Sequence, residues 1–332
     1  MKKVVIFGAT GNIGAYFTDY CKNHLDTEKY EVIAVGRRET DFYEKKGIIY
    51  VNVDLCRADD FRKLPFEDIY AVVNLAGLLP AYMKKYDPFA YVETNINGGL
   101  RILEYARKVH ADRVLYTQTW SEQGGYWGTR EILSPDLPRK LIYTGDHAFY
   151  AITKTTIVEM MEHYKQEYGL KNFVFRLPNV YLYHPDKYYY VDCVRKPIAY
   201  RYMIDRASKG ETIEMWGNPD AFKDVLYIKD LCQMMYKALF AEVNGGTYNA
   251  GTGIRTTLRE QIEGIIQVFS PINNKSEIIE KPDGAGFTSF VMDIENARKD
   301  LGYEPQFTYL KYLEDYKEEQ RLKRFDELWI KK

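Results

Sequence analysis

The sequence predicts an α/β protein built on a doubly wound parallel sheet, with a smaller α/β domain added toward the C-terminus. Three observations predict it. Short apolar runs alternate with helix-like stretches from the first residues onward. A glycine-patterned turn joins the first run to the first helix. A Tyr-x-x-x-Lys pair, Tyr150 and Lys154, opens a long helical segment in mid-chain.

Length and composition set the bounds. A chain of 332 residues holds one large or two modest domains with a full core. Its 46% hydrophobic and 28% charged content is that of a globular protein in water. The 46 Lys+Arg nearly balance the 47 Asp+Glu, which argues against a nucleic-acid or polybasic membrane partner. No apolar run reaches the length of a membrane span, and the chain enters a strand-like run at once, without a signal peptide. Cys21, Cys56, Cys193 and Cys232 are widely spaced and form no Cys-x-x-Cys, so they read as reduced thiols of a cytoplasmic protein. The five histidines lack metal-ligand spacing, and no metal is assigned. The 30 tyrosines read mainly as packing residues with a wet hydroxyl.

In order, Val4-Val5-Ile6-Phe7 forms the first strand and runs into Gly8-Ala9-Thr10-Gly11-Asn12-Ile13-Gly14 and a helix through Lys22. Strand, glycine turn and helix together mark a dinucleotide site. The glycines admit a tight turn and a close approach of backbone to pyrophosphate, whose charge lies at the helix N-terminus. Val32-Ile33-Ala34-Val35 is the second strand and ends in Gly36-Arg37-Arg38. An acidic residue at this strand end binds the ribose 2′-hydroxyl of NAD, whereas arginines clamp the 2′-phosphate of NADP. NADP is therefore expected ahead of NAD. The bland alternative is two solvated loop charges with Glu39 as a late acid.

Residues 48–53 read as the third strand, followed by Asp54-Leu55 beside the adenine. Residues 71–77 read as the fourth, ending in Leu75-Ala76-Gly77, small enough for a cofactor to run close to backbone. The next helix is expected to begin at Asn95-Ile96-Asn97-Gly98 and to bury Leu100, Leu103 and residues 106–109. Residues 113–117 are the fifth strand, which delivers Thr119 to the carboxyl edge of the sheet, where ligands bind. Residues 120–147, rich in Gly and Pro, read as an active-site loop.

Tyr150 and Lys154 lie one turn apart on one helix face. Ionising a free tyrosine at pH 7 costs roughly 4 kcal/mol. A nearby ammonium lowers that cost, so the phenol can exchange a proton with an alcohol or ketone. Taken alone, the spacing also fits an ordinary helix start.

The glycine turn, Asp54-Leu55, Asn74-Leu75-Ala76-Gly77, the Thr119 position and Tyr150-x-x-x-Lys154 occur in the order and at the intervals of one family. The chain resembles the extended short-chain dehydrogenases/reductases, the NAD(P)-dependent epimerase/dehydratase group acting on nucleotide sugars, over nearly its whole length. That resemblance implies a Rossmann-type domain over 1–177, rejoined at about 224–255. It implies an interleaved substrate-binding domain over 178–332. Tyr150, Lys154 and Thr119 are then catalytic. The implied cofactor contacts are Gly8, Thr10, Gly11, Asn12, Ile13, Gly14, Arg37, Arg38, Asp54, Leu55, Leu75, Ala76, Gly77, Asn95, Lys154, Leu177 and Pro178. Thr119, Asn179 and Lys223 are the implied substrate contacts.

Several segments of the second half carry the likeness further. Residues 173–181 resemble the family's sixth strand and turn, with Arg176 structural. Residues 222–231 resemble its Arg-Asp-Phe-x-His-Val-x-Asp segment, with Lys223 in place of a phosphate-binding arginine. Lys281 stands where a second such arginine is expected, and lysine supplies a point charge without the fork. Tyr248-Asn249-Ala250-Gly251 matches a further strand, and 316–332 reads as a charged helix with a solvated face. Tyr188-Tyr189-Tyr190 suits either stacking on a base or packing of the small domain.

Three functions fit: a nucleotide-sugar epimerase, an NADPH-dependent keto-sugar reductase, and a non-catalytic NADP-sensing or scaffold protein. Intact Thr119, Tyr150 and Lys154 argue against the last. A 4,6-dehydratase is disfavoured, because those relatives carry Asp-Glu where this chain has Trp120-Ser121. The resemblance places the epimerase first and implies a homodimer paired through the helices near Asn95 and Tyr150.

Overall fold

The computed structural model describes residues 1–284 and 286–330. Its centre is a seven-stranded parallel sheet. The strands are β1 (Lys2–Phe7), β2 (Tyr30–Gly36), β3 (Ile49–Asn52), β4 (Ile69–Asn74), β5 (Arg113–Thr119), β6 (Lys171–Leu177) and β7 (Gly245–Asn249). Their spatial order is β7-β6-β5-β4-β1-β2-β3, so the winding reverses between β1 and β4. In such a sheet the crevice for ligands opens at the carboxyl ends of those two strands. Helices cover both faces, which explains why β1 and β4 are continuous apolar runs rather than alternating ones. Val4, Val5, Ile6, Ala71, Val72 and Val73 are all fully buried. Each valine or isoleucine so buried contributes about 1.5–3 kcal/mol.

Three helices place the site: α1 (Asn12–His24), α2 (Gly98–Lys108) and α3 (Asp146–Tyr168). The helix expected to start near Asn95 is preceded by a single α-turn, Pro88–Tyr91, capped by Asp87. A π-turn, Val92–Asn97, then runs directly into α2. Ile102, Leu103 and Ala106 are buried as expected, but Leu100 is 36% exposed and points away from the core.

Much of the remaining chain forms a second layer of short strand pairs and helices. Ile213–Trp216 pairs in parallel with Ile278–Lys281, Phe222–Lys223 pairs antiparallel with Thr256–Thr257, and Tyr188–Val191 forms a hairpin with Val194–Pro197. Tyrosines fill this layer: Tyr181 contacts Tyr200 and Tyr312, and Tyr183 contacts Tyr316 edge-on. Asp224 ties it to the loop after β7. Its buried carboxylate accepts from the Thr252 and Gly253 amides, the Thr252 hydroxyl and the Met292 amide. The tail corrects the expectation of a solvated helix. After the Tyr309–Leu322 helix, Phe325 and Leu328 are buried, and Phe325 lies edge-on to Tyr16 of α1 at 4.7 Å. Arg324 pairs with Asp19 and Glu319, so the charges serve docking.

Candidate active site

The glycine turn builds the first wall. Gly8 has φ +80°, and a Cβ there would stand 2.6 Å from the Ala76 amide nitrogen. A Cβ on Gly14 would stand 2.0 Å from the Gly8 carbonyl oxygen. Both positions need glycine, for backbone conformation in one case and helix–strand contact in the other. α1 begins at Asn12 with no side-chain cap and no acid in its first turn. Its leading amides and dipole are therefore free for an anion. Thr10 lies against Gly36, where a Cβ would meet its side chain at 2.9 Å. Asn12 donates to the Tyr82 hydroxyl at 2.9 Å, which brings the Pro80–Tyr82 turn across the same edge.

At the end of β2, Arg37 and Arg38 are exposed, and neither has a carboxylate partner among the described residues. Their backbone is anchored. Asn52 donates to the Arg37 carbonyl at 3.0 Å, and the Tyr50 hydroxyl donates to that of Arg38. Two free guanidiniums on a held loop suit a phosphate. Asp54 turns its carboxylate onto the Cys56 amide, and Leu55 packs on Gly98 of α2.

The end of β4 leads to Lys154. A Cβ on Gly77 would lie 3.9 Å from Lys154 Nζ and 3.3 Å from Asn95 Oδ1. Asn95 accepts from the Leu78 amide and donates to the Leu78 carbonyl and the Thr153 hydroxyl, so its amide joins this loop to α3. That bonding makes it a tie between elements.

Lys154 is 4% exposed, with no carboxylate partner among the described residues, and burial pulls its ammonium down to about 7. Its Nζ stands 3.9 Å from the centroid of the Tyr116 ring. Tyr150 is 9% exposed, and burial, then Tyr91, push its phenol up. The ammonium thus rests on the face of the Tyr116 ring. Thr119 and Leu177 are register partners at the ends of β5 and β6, with buried Pro178 next and Asn179 exposed. The Thr119 hydroxyl accepts from the Ser121 amide and donates to the Ser121 hydroxyl at 3.1 Å.

The structure brings together Gly8 to Gly14, Leu75 to Gly77, Asn95 and Lys154 around one edge. Lys223 lies in the second layer with its Nζ 3.9 Å from the Phe287 ring centroid, and burial lowers its affinity for a proton. Lys281 stands beside Trp216 on a separate strand pair. Sequence reasoning missed Tyr116, Gln118 and Glu122. Tyr116 and Gln118 share a face of β5, a period-two signal that was available. Glu122 had no such signal, because an acid in a glycine-rich loop reads as solvated.

A family model described as NAD dependent epimerase/dehydratase family matches residues 4–251. A putative UDP-glucose 4-epimerase of Methanocaldococcus jannaschii is 24% identical over 308 residues, covering 91% of this chain and 93% of that protein. Two crystal structures share the fold at TM-score 0.77 and 21% identity. One is UDP-glucose 4-epimerase with UDP-glucose from Thermotoga maritima, covering 96% of this chain and 99% of that one. The other is UDP-N-acetylglucosamine 4-epimerase from Bacillus cereus, at 97% and 100%.

Proposed function

Because the chain belongs to the NAD dependent epimerase/dehydratase family, we propose that it is a nucleotide-sugar epimerase in which Tyr150 moves the proton of a sugar hydroxyl. One observation carries this reading. An uncapped glycine-turn helix and a buried Tyr150–Lys154 turn meet at the carboxyl edge of one sheet, joined through Gly77.

Residues Gly8 to Gly14 and Leu75 to Gly77 suit the dinucleotide backbone, and Lys154 its ribose. When bound, the nicotinamide ring supplies a two-electron acceptor and donor for the sugar carbon. Tyr150 takes the hydroxyl proton as the C–O bond becomes a carbonyl, and returns it in the reverse half-reaction. Burial opposes both the phenolate and the ammonium, and bringing the two charges within reach of each other offsets that opposition. A hydroxyl rotates freely, so Thr119 reaches a sugar oxygen by releasing Ser121. Asn179 and Lys223 are assigned to the substrate, with Lys223 as a point charge for its diphosphate.

The free guanidiniums of Arg37 and Arg38 support NADP over NAD. They also favour a second reading, an NADPH-dependent reductase of a nucleotide-linked keto-sugar. We further infer a homodimer through α2 and α3, on whose outer side Leu100 is exposed, and a cytoplasmic location, in keeping with the free cysteines. Among the described residues no helix is long and apolar enough to cross a membrane.

The deciding experiment examines the purified protein for bound dinucleotide and then offers UDP-glucose and UDP-N-acetylglucosamine. Retained, non-exchanging cofactor with inversion of a sugar carbon supports the epimerase. Cofactor-free protein that consumes NADPH with a keto-sugar nucleotide supports the reductase and refutes the epimerase.

A further inference from the structure

We propose that Gln118 is a positioning residue that fastens the Thr119 end of β5 to α3, with the buried Glu122–Arg176 pair holding it in that pose. The inference rests on reading Thr119, Tyr150 and Lys154 as the reaction centre.

Gln118 is 1% exposed, and its carboxamide is spent on three different elements. Its Oε1 accepts from the Thr119 amide at 2.7 Å. Its Nε2 donates to the Thr155 hydroxyl of α3 at 3.2 Å and to Glu122 Oε2 at 3.0 Å. Thr155 directly follows Lys154, so the contact falls on the turn that carries the chemistry. Glu122, also 1% exposed, accepts from Arg176 Nε at 2.6 Å, and Arg139 Nε lies 3.3 Å from its other oxygen. Arg176 in turn donates to Asn249 at 2.8 Å, which roots the network in β6 and β7.

The orientation of the amide follows from its neighbours. An ionised carboxylate only accepts, and a backbone N–H only donates. A flipped Gln118 would set oxygen against Glu122 and NH₂ against the Thr119 N–H, losing both bonds and adding repulsion. Glu122 therefore dictates which group meets Thr119. Tyr116, two residues earlier on the same face of β5, donates to the Lys154 carbonyl at 3.3 Å. Consecutive same-face side chains of β5 thus take hold of consecutive residues of α3. Reacting groups displaced by an ångström lose large factors in rate, which gives such a latch a catalytic consequence.

The test uses Gln118→Leu and Gln118→Glu in the full chain, with UDP-glucose and UDP-N-acetylglucosamine as probes. The positioning role predicts for Gln118→Leu a kcat lower by about tenfold or more, with KM and NADPH affinity within about threefold. It also predicts faster amide exchange in both 118–122 and 150–158. Gln118→Glu opposes a second carboxyl to Glu122, with Arg139 and Arg176 the facing cations and Glu159 already paired to Arg139. Only the protonated form of the introduced carboxyl can donate to Glu122 as the amide does, so this variant keeps its rate at low pH and loses it as pH rises, a limb absent from the wild type. If Gln118→Leu does not fold, Gln118→Glu decides the matter by that limb. Unchanged kcat in folded Gln118→Leu, faster exchange confined to 118–122, or a Gln118→Glu profile matching the wild type overturns the proposal. A wild type that converts neither sugar bears on the choice of sugar nucleotide instead, and the amide-exchange measurement, which needs no substrate, still decides the coupling.

Discussion

Lys154 Nζ stands 3.9 Å from the centroid of the buried Tyr116 ring, and the Tyr116 hydroxyl donates back to the Lys154 carbonyl at 3.3 Å. The ring face replaces part of the water that the ammonium has lost. The replacement is incomplete, since burial still brings Lys154 down to about 7.

A pH-dependent stability follows. Below pH 7 both folded and unfolded states carry the proton, and the folded state bears the full cost of a buried charge. Between about 7 and the ordinary lysine value near 10.5, the unfolded state binds more protons, so stability rises with pH. Lys154→Met removes the charge. Urea melts at pH 6 and pH 10 should show the variant gaining on wild type at pH 6 by on the order of 3–5 kcal/mol more than at pH 10. An equal difference at both values would show that Lys154 is solvated.

Tyr150→Phe deletes only the phenol oxygen. Turnover should fall about 100-fold or more if that oxygen transfers the proton, with dinucleotide affinity and thermal midpoint little changed. Near-normal turnover would remove Tyr150 from the mechanism.

Gly8→Ala meets the Ala76 amide at 2.6 Å in a backbone with φ +80°. The variant should lose at least about 2 kcal/mol of stability in denaturant melts and bind NADPH and NADH poorly alike. Wild-type affinity for both would show that the turn does not face the cofactor.

Arg37→Ala and Arg38→Ala should each weaken NADPH binding by about tenfold, or ~1.4 kcal/mol, and leave NADH unchanged. The NADPH loss should shrink at high salt, because both guanidiniums are exposed. Parallel losses for the two cofactors in fluorescence titrations would contradict the 2′-phosphate clamp.

Arg176→Met strands Glu122 among buried groups with Arg139 as its one remaining charged partner among the described residues. The expected loss is on the order of 3 kcal/mol by chemical denaturation. A neutral outcome would mean that water or Arg139 satisfies Glu122.

By itself the sequence determined the alternation of strands and helices in a doubly wound parallel sheet and the glycine turn. These depend on local patterns: apolar runs of strand length, glycines at turn positions and helical spacing. The placing of Tyr150 and Lys154 on one helix face was legible for the same reason, because the helix period is local. What faces that pair was decided only in three dimensions. The ammonium settled on Tyr116, Gln118 joined β5 to α3, and Glu122 turned inward from a loop of solvent-like composition. The charged tail docked on α1, since Phe325 and Leu328 had apolar surface to bury there. Such outcomes depend on which surfaces meet, and residues far apart in the chain choose partners by burial and hydrogen-bond satisfaction, which no local period encodes.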